Sequence, residues 1–500
     1  MRDASESPPA VLRQVSTLAR HEFVSHLRAF RVRLLSAVTI AMAPVAVLIG
    51  LEDYQVRLAD HTRLVAQYLA DRQEDAKVVT GVSADPALRA IRPPSSLSIL
   101  VRGLDDELPL YWDVSPAATS AGRAGKEAAS VQEASLTLDL EFLVRTVLGF
   151  LALVLGSEAV AVARDRGTLK VLLSQPLSSA AIAIAKLLGG SSVLVLAVVA
   201  VWSASLTVVW ATAPALLTSD LLLTAFVLAA GWTLYLVVLF GGGMAVGAIS
   251  RSSYSANVTA GIVWLVMSFV SIPMLAFAAR AAAPVPSRSA FEALRDARYA
   301  ELARAVEEDL GMRFRTLMGP RGDSRSVTIE SPVASDIESL WLERVSGASR
   351  TVRDLTSEAS ASWNKRHRTS RWLAFLNPAA LLLEASSDLA GTGSRSVRRM
   401  WDSVEAYQQA MEEALFLNRP RITLRVPSDR GTTLEVITRH PLPKVGDLPR
   451  FVEPRVGWIE RLKDAADLLA ALAAYAVAVG VLVWRSCRYR PANGRGRRSE

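Results

Sequence analysis

Six stretches of this chain are apolar and nearly free of charge: Leu34 to Gly50, Phe142 to Ala163, about Ala180 to Trp210, Leu221 to Ile249, Ala256 to Ala279 and Ala465 to Trp484. A hydrocarbon core of about 30 Å needs about 20 apolar residues in a helix, and all six reach or approach that length. Between residues 191 and 250 the only charged side chain is Asp220, which no soluble surface would tolerate. Nothing alternates as a barrel strand would, and backbone amides in lipid must bond within their own segment. Each stretch therefore predicts a spanning helix. Pro44 and Pro273 are candidate kinks.

The stretches between are polar. Segment 281–457 reads as mainly helical, with Leu302, Val306 and Leu310 at helical spacing inside Phe291 to Leu317. Further helices are predicted over Val333 to Arg368, over Pro378 to Ala390 with Gly391 as its stop, and over Ser396 to Leu417. Arg421 to Pro427 and Thr432 to His440 alternate in strand fashion around Ser428-Asp429-Arg430-Gly431, a hairpin signal. The apolar run Trp372 to Leu383 is too short to span, so it lies either at the outer membrane surface or in the domain core. Segment 51–138 opens with a charged helix, about Glu52 to Lys77. Alternating stretches follow near Leu97 to Val101 and Leu108 to Val114, then a small, polar, flexible connector over Ala117 to Ala134.

The expected architecture is a polytopic α-helical membrane protein. Six transmembrane helices accompany two extracytoplasmic, mainly helical domains, 51–138 and 281–457, which carry a small β-hairpin. The spans are drawn at 34–50, 142–163, 181–210, 221–249, 256–279 and 465–484. A flank (1–33), a cytoplasmic helix (164–180) and a basic tail (485–500) complete the chain.

Composition refines this picture. The 500 residues are 51% hydrophobic and 21% charged, against about 25% charged in a soluble domain. That excludes a disordered chain, and a single cysteine, Cys487, excludes a disulfide scaffold. The net charge of +8 is concentrated beside the spans, on Arg13, Arg20, Arg28, Arg31, Arg33, Arg164, Arg166, Lys170, Lys186, Arg251 and the tail from Arg485 to Arg498. With six spans all these flanks fall on one side, which the positive-inside bias makes cytoplasmic. Both termini are then expected inside a bacterial inner membrane. The first helix reads as a signal anchor, since a long polar segment precedes it and Leu51-Glu52-Asp53-Tyr54 offers no cleavage site. The basic tail reads as an orientation signal touching lipid headgroups rather than as a nucleic-acid patch.

Catalytic chemistry is not evident. The histidines, His21, His26, His61, His367 and His440, lack metal-ligand spacing, and no G-x-S-x-G occurs. There is no Walker A, since Gly125-Lys126 is followed by Glu127. No cofactor or metal is expected on this chain. Glu158, about one turn from the cytoplasmic end of the second span, is either a coupling contact or a side chain that snorkels or pairs with Arg164 or Arg166.

From Glu158 the chain runs through Arg164, Asp165, Arg166, Gly167, Thr168, Leu169, Leu172, Leu173, Ser174 and Pro176 to Lys186 and Gly189. This resembles the signature of type-2 ABC exporter permeases, with Ala163 where a glutamate is usual and Ser179 where an arginine is usual. Asn377-Pro378 through Glu384 to Gly391-Thr392, with a helix from Trp401 to Met411, is similar to a subfamily with a large domain between the fifth and sixth spans, the multicopper-enzyme-maturation or gliding-type permeases. The resemblance implies a non-catalytic subunit whose helix 164–180, with Leu169, Leu172 and Leu173 on one side, docks in a groove of an ATPase subunit. It implies coupling roles for Glu158, Arg164, Asp165, Gly167, Thr168, Leu169, Leu172, Leu173, Pro176 and Lys186. ATP and Mg would sit on that ATPase partner, and a second permease, identical or related, would complete the unit. The other reading is a membrane-anchored sensor or scaffold whose outer domain binds a partner, and a plain surface helix would then replace the coupling helix. Gly243 and Gly247, spaced G-x-x-x-G, point to close packing of the fourth span.

Overall fold

The structure is a computed structural model. It describes residues 8–73, 89–105, 109–114, 119–121, 138–174, 178–285, scattered positions between 290 and 312, 332–417, 423–427, 433–437, 448–454 and 456–488. Six helices are long and apolar enough to cross a membrane: α2 (Phe30–Gln73), α3 (Leu140–Asp165), α5 (Ser179–Thr212), α6 (Ser219–Ile249), α7 (Ser253–Ala282) and α11 (Trp458–Arg488). Two helices lie at the end where α3 stops, here the near end: α1 (Pro8–Arg28), against α5, and the short α4 (Thr168–Leu173). At the opposite, far end lie α8 (Pro332–Ala374), α9 (Pro378–Ala390) and α10 (Ser394–Leu417). The described positions between 290 and 312 are helical.

The first span and the charged helix expected after it are one continuous helix, α2, with Pro44 inside it. Its far portion is stapled to the chain that follows. Arg57 and Arg92 share the buried carboxylate of Asp105, and Gly50 lies directly against the backbone of Ile99. That contact corrects the expected strand near Leu97 to Val101. Residues Ser96–Ile99 form a 3-10 turn with Leu97, Ser98 and Ile99 all buried, because successive side chains there are enclosed rather than alternately exposed. Tyr111–Val114 (β2) is a strand, paired antiparallel with β1 (Arg89–Ile91) and with β3 (Thr119–Ala121). β3 falls within the expected connector, whose other residues are outside those described apart from this strand. The expected hairpin is present as β4 (Thr423–Pro427) and β5 (Thr433–Ile437), with Leu424 opposite Val436; its turn, 428–431, lies outside the described residues.

The two polar segments share a core. Trp112 of β2 is fully buried and meets Trp401 of α10 edge-on at 5.6 Å, in a cluster with Val404, Tyr407, Met411 and Leu448.

The spans α3 and α6 pack closest. A side chain at Gly156, Gly243 or Gly247 would run into the backbone of the facing helix, so the G-x-x-x-G spacing serves packing within the chain. Two spans contain a wide turn: Leu143–Leu148 in α3 and Val266–Val270 in α7 are π-helical. In α7 the cause is Pro273, which has no N–H to offer Phe269 and crowds its carbonyl, so the ladder lengthens upstream. Carbonyls loosened by these turns accept side-chain donors. Trp264 Nε1 donates to Thr146 O at 2.9 Å, and Tyr235 Oη donates to Arg145 O at 3.2 Å.

The apolar run Trp372 to Leu383 takes a third course, neither surface nor domain core. It is the tip of a helical hairpin, α8–α9, wedged among the spans. Asn377 at the tip donates to Met267 O at 2.9 Å and to Ser271 Oγ at 2.5 Å, while Tyr475 of α11 donates to Phe375 O at 2.8 Å. Met267 is 282 − 267 = 15 residues from the far end of α7, so the tip sits roughly 22 Å below it at the helical rise of about 1.5 Å per residue. The turn is built locally. Asn377 Oδ1 accepts from Ala379 N, Pro378 takes the first helical position, and Gly391 ends α9 with φ 71°. From Ala379 to Ala390 every residue of α9 is buried. Arg371 closes the hairpin's mouth, reaching Asp388 of α9 and Asp467 of α11.

Candidate functional site

The residues singled out at 158–189 gather at the near end. α3 stops at Asp165 because Gly167 turns the chain with φ 75°, a left-handed conformation that disfavours any Cβ. The expected helix over 164–180 is therefore in pieces: the last turn of α3, the turn at Arg166–Gly167, α4, and the start of α5 at Ser179. Thr168 Oγ1 donates back to Ala163 O at 3.0 Å and fixes where α4 leaves α3. Thr168 and Val171 of α4 are exposed, and Leu172 is half-buried. The side chains of Leu169 and Leu173, and Pro176 altogether, lie outside the described residues.

Arg164 and Asp165 grip two other spans. Arg164 Nη1 donates to Gly247 O at 3.3 Å and to Ala248 O at 3.4 Å, where the last carbonyls of α6 carry partial negative charge. Asp165 Oδ2 accepts from Ser253 N at 2.7 Å, at the N-terminus of α7, where partial positive charge favours an anion. Each charge sits on the helix end of opposite sign.

Glu158 does not pair with Arg164 or Arg166. Its Oε1 accepts from Arg31 Nη1 of α2 at 2.6 Å and from Asn257 Nδ2 of α7 at 2.9 Å, and Asn257 Oδ1 accepts from Ser157 Oγ at 2.9 Å. One carboxylate thus ties α2, α3 and α7. Lys186 is buried rather than facing solvent, and its ammonium pairs with Glu22 of α1. Gly189, one turn on, lets α1 cross α5 with its Ala19 backbone touching. His26 lies 3.7 Å from Glu22 and edge-on to Phe240 of α6. Burial lowers the His26 pKa.

Sequence reasoning did not find Glu22, Arg31, Asn257 or Ser253, the partners of the signature. Each belongs to an element 50 or more residues away from its mate, and no spacing rule reaches that far. Among the described residues no group of three or more His, Cys, Asp or Glu could hold a metal ion. The arrangement is mechanical: a short exposed helix between two spans, whose root is bonded to the ends of two others.

The profile of the ABC-2 family transporter protein matches residues 16–485. No curated protein matches the chain.

Proposed function

The chain belongs to the ABC-2 transporter family, and from that premise we propose that it is the permease subunit of an ATP-driven exporter, with α4 receiving the stroke of a separate ATPase subunit. The observation that carries this reading is the Arg164–Asp165 grip on α6 and α7 at the root of exposed α4. A push on α4 moves α3 and α5 through the chain, and α6 and α7 through that grip. Glu158 and Lys186 extend the same rigid body to α2 and α1. ATP and Mg sit on the partner, in keeping with the missing Walker A. The basic near end is the cytoplasmic face of the inner membrane, which puts both termini inside and the α8–α10 body outside. A second permease, identical or related, completes the transporter, and the large body between the fifth and sixth spans supports reading this chain as a member of a subfamily like the multicopper-enzyme-maturation or gliding-type permeases.

The test is co-purification of the solubilised protein with its ATPase, followed by ATP hydrolysis measurements. Val171→Asp and Leu172→Asp should strip the ATPase from the complex. The double variant Arg164→Gln/Asp165→Asn should keep the ATPase bound but lower the change in its hydrolysis rate caused by the permease at least fivefold. A complex that survives both α4 substitutions unchanged overturns the reading and favours an anchored sensor or scaffold.

A further inference from the structure

Glu384 sits where the fold offers it no counter-charge. It lies on α9, 384 − 377 = 7 residues past the tip of the α8–α9 hairpin, about 10 Å along the helix. Two residues on, Ser386 Oγ accepts from Trp232 Nε1 of α6 at 2.9 Å. Trp232 is 232 − 219 = 13 residues from the far end of that span, about 20 Å. Glu384 is thus enclosed at the depth of the spans. It is 1% exposed, its neighbours Leu381, Leu382, Leu383 and Ala385 are buried too, and its Oε2 has no hydrogen-bond partner among the described residues.

The charged groups that the neighbours of α9 bring to it are paired among themselves. Arg371 of α8 binds Asp388, one turn beyond Glu384, and Asp467 of α11. Arg395 and Arg399 of α10 pair with Asp464 of α11, and Arg461 of α11 with Asp220 of α6. In the wide turn of α3, Arg145 pairs with Glu141, and Tyr235 of α6 donates to the Arg145 carbonyl. None of these pairs includes Glu384. A carboxylate shut away from water without a cation is so costly that such groups neutralise instead. The Glu384 Oε2 is closed to water, and no group of acids or histidines around it could hold a metal ion among the described residues. What neutralises it is therefore a proton.

We propose that Glu384 is a proton-binding site that locks the α8–α9 hairpin among the spans. The side chain is a carboxylic acid while the hairpin is seated, and withdrawal of the hairpin exposes it to water and releases the proton. On seating, one carboxylate oxygen takes one proton from water at the far end. On withdrawal that O–H bond breaks and the proton returns there, with no other bond made or broken. A glutamate in water is ionised at neutral pH, since its ordinary pKa is about 4.3. Each rise of one pH unit therefore shifts the balance toward the withdrawn hairpin by up to about tenfold. The inference rests on the place of the hairpin among the spans and stands apart from coupling to an ATPase.

The experiment uses the full chain in lipid nanodiscs, with its glutamates labelled with carbon-13. Infrared spectra at pH 7 should contain the carbonyl band of a protonated glutamic acid, and the difference spectrum against Glu384→Gln should contain that band. Hydrogen exchange of the α9 amides, corrected for their intrinsic rates, reads how often the hairpin withdraws. Protection in the wild type should fall at least tenfold between pH 6 and pH 9, and less than twofold in Glu384→Gln, which stays neutral throughout. Glu384→Met, apolar and of similar length, should follow Glu384→Gln in both measurements. A wild-type spectrum without a protonated-glutamate band overturns the proposal, and so does a band that Glu384→Gln leaves intact. A loss of protection that follows the same pH course in the wild type and the variants overturns it too.

Discussion

Lys186 is 4% exposed and carries a charge, and Glu22 is what makes that burial tolerable. A buried ammonium without a partner is costly, and removing one member of a buried pair typically destabilises by about 3–5 kcal/mol. The signature lysine therefore reads as a strut between α1 and α5. His26 beside it adds a pH dependence. Its pKa is lowered by burial, with Lys186 acting in the same direction and Glu22 and Glu158 opposing. The unfolded chain takes up a proton near the ordinary value of 6.5 while the folded chain resists it until a lower pH. Stability is therefore full above about 6.5 and is lost as pH falls through the window below it. Thermal unfolding between pH 7.5 and 5.5 should show a steeper loss in the wild type than in His26→Gln, and equal slopes would rule out this assignment.

The α8–α9 hairpin is a matter of elements. Its tip meets α7 at Met267, in the middle of a span, yet Trp372 and Leu376 remain exposed on the hairpin's outer side. Large apolar side chains exposed at that depth face lipid when α7 crosses the bilayer. A spin label at Leu376→Cys, in a Cys487→Ser background, should be inaccessible to a water-soluble relaxer and accessible to oxygen. A label at Arg350→Cys, higher on α8, should show the reverse. Equal water access at both positions would place the hairpin outside the membrane. The wide turn at Val266–Val270 and the hairpin tip depend on one another, because Asn377 supplies donors where Pro273 has disturbed the ladder.

At the scale of the molecule, the far-end body is a joint product of segments that flank four of the six spans. Trp112 and Trp401 pack against each other from either side of that gap, and Thr392 Oγ1 donates to Val101 O at 3.2 Å. Trp112→Ala should cost about 3–5 kcal/mol, the usual loss for a buried large aromatic, and should show as a lower unfolding temperature. Loss of under 1 kcal/mol would mean that the two segments fold separately.

What the amino-acid order determines alone is whatever a helix decides within itself. Six apolar runs become six long helices because a span must satisfy its own backbone and present apolar side chains all round. Pro378 and Gly391 mark the ends of α9, since a first helical turn and a left-handed stop need local backbone geometry that few residues adopt. The break at Gly167 is different: 164–180 reads as one helix, and only the structure shows the chain turning there. The run at 158–189 was legible as a signature, but the roles of its charges were not. Glu158 looked able to pair with Arg164 and instead found Arg31 and Asn257. Trp372 to Leu383 was too short to span and read as lying at the outer membrane surface or in the domain core, and only the packing of α7 and α11 against it decides that it enters among the spans. Periodicity reports how much of a side chain's surroundings is apolar and says nothing of which helix supplies them. Partners 127 residues apart, as Arg31 and Glu158 are, or 291 apart, as Val101 and Thr392 are, meet only when the whole chain has folded.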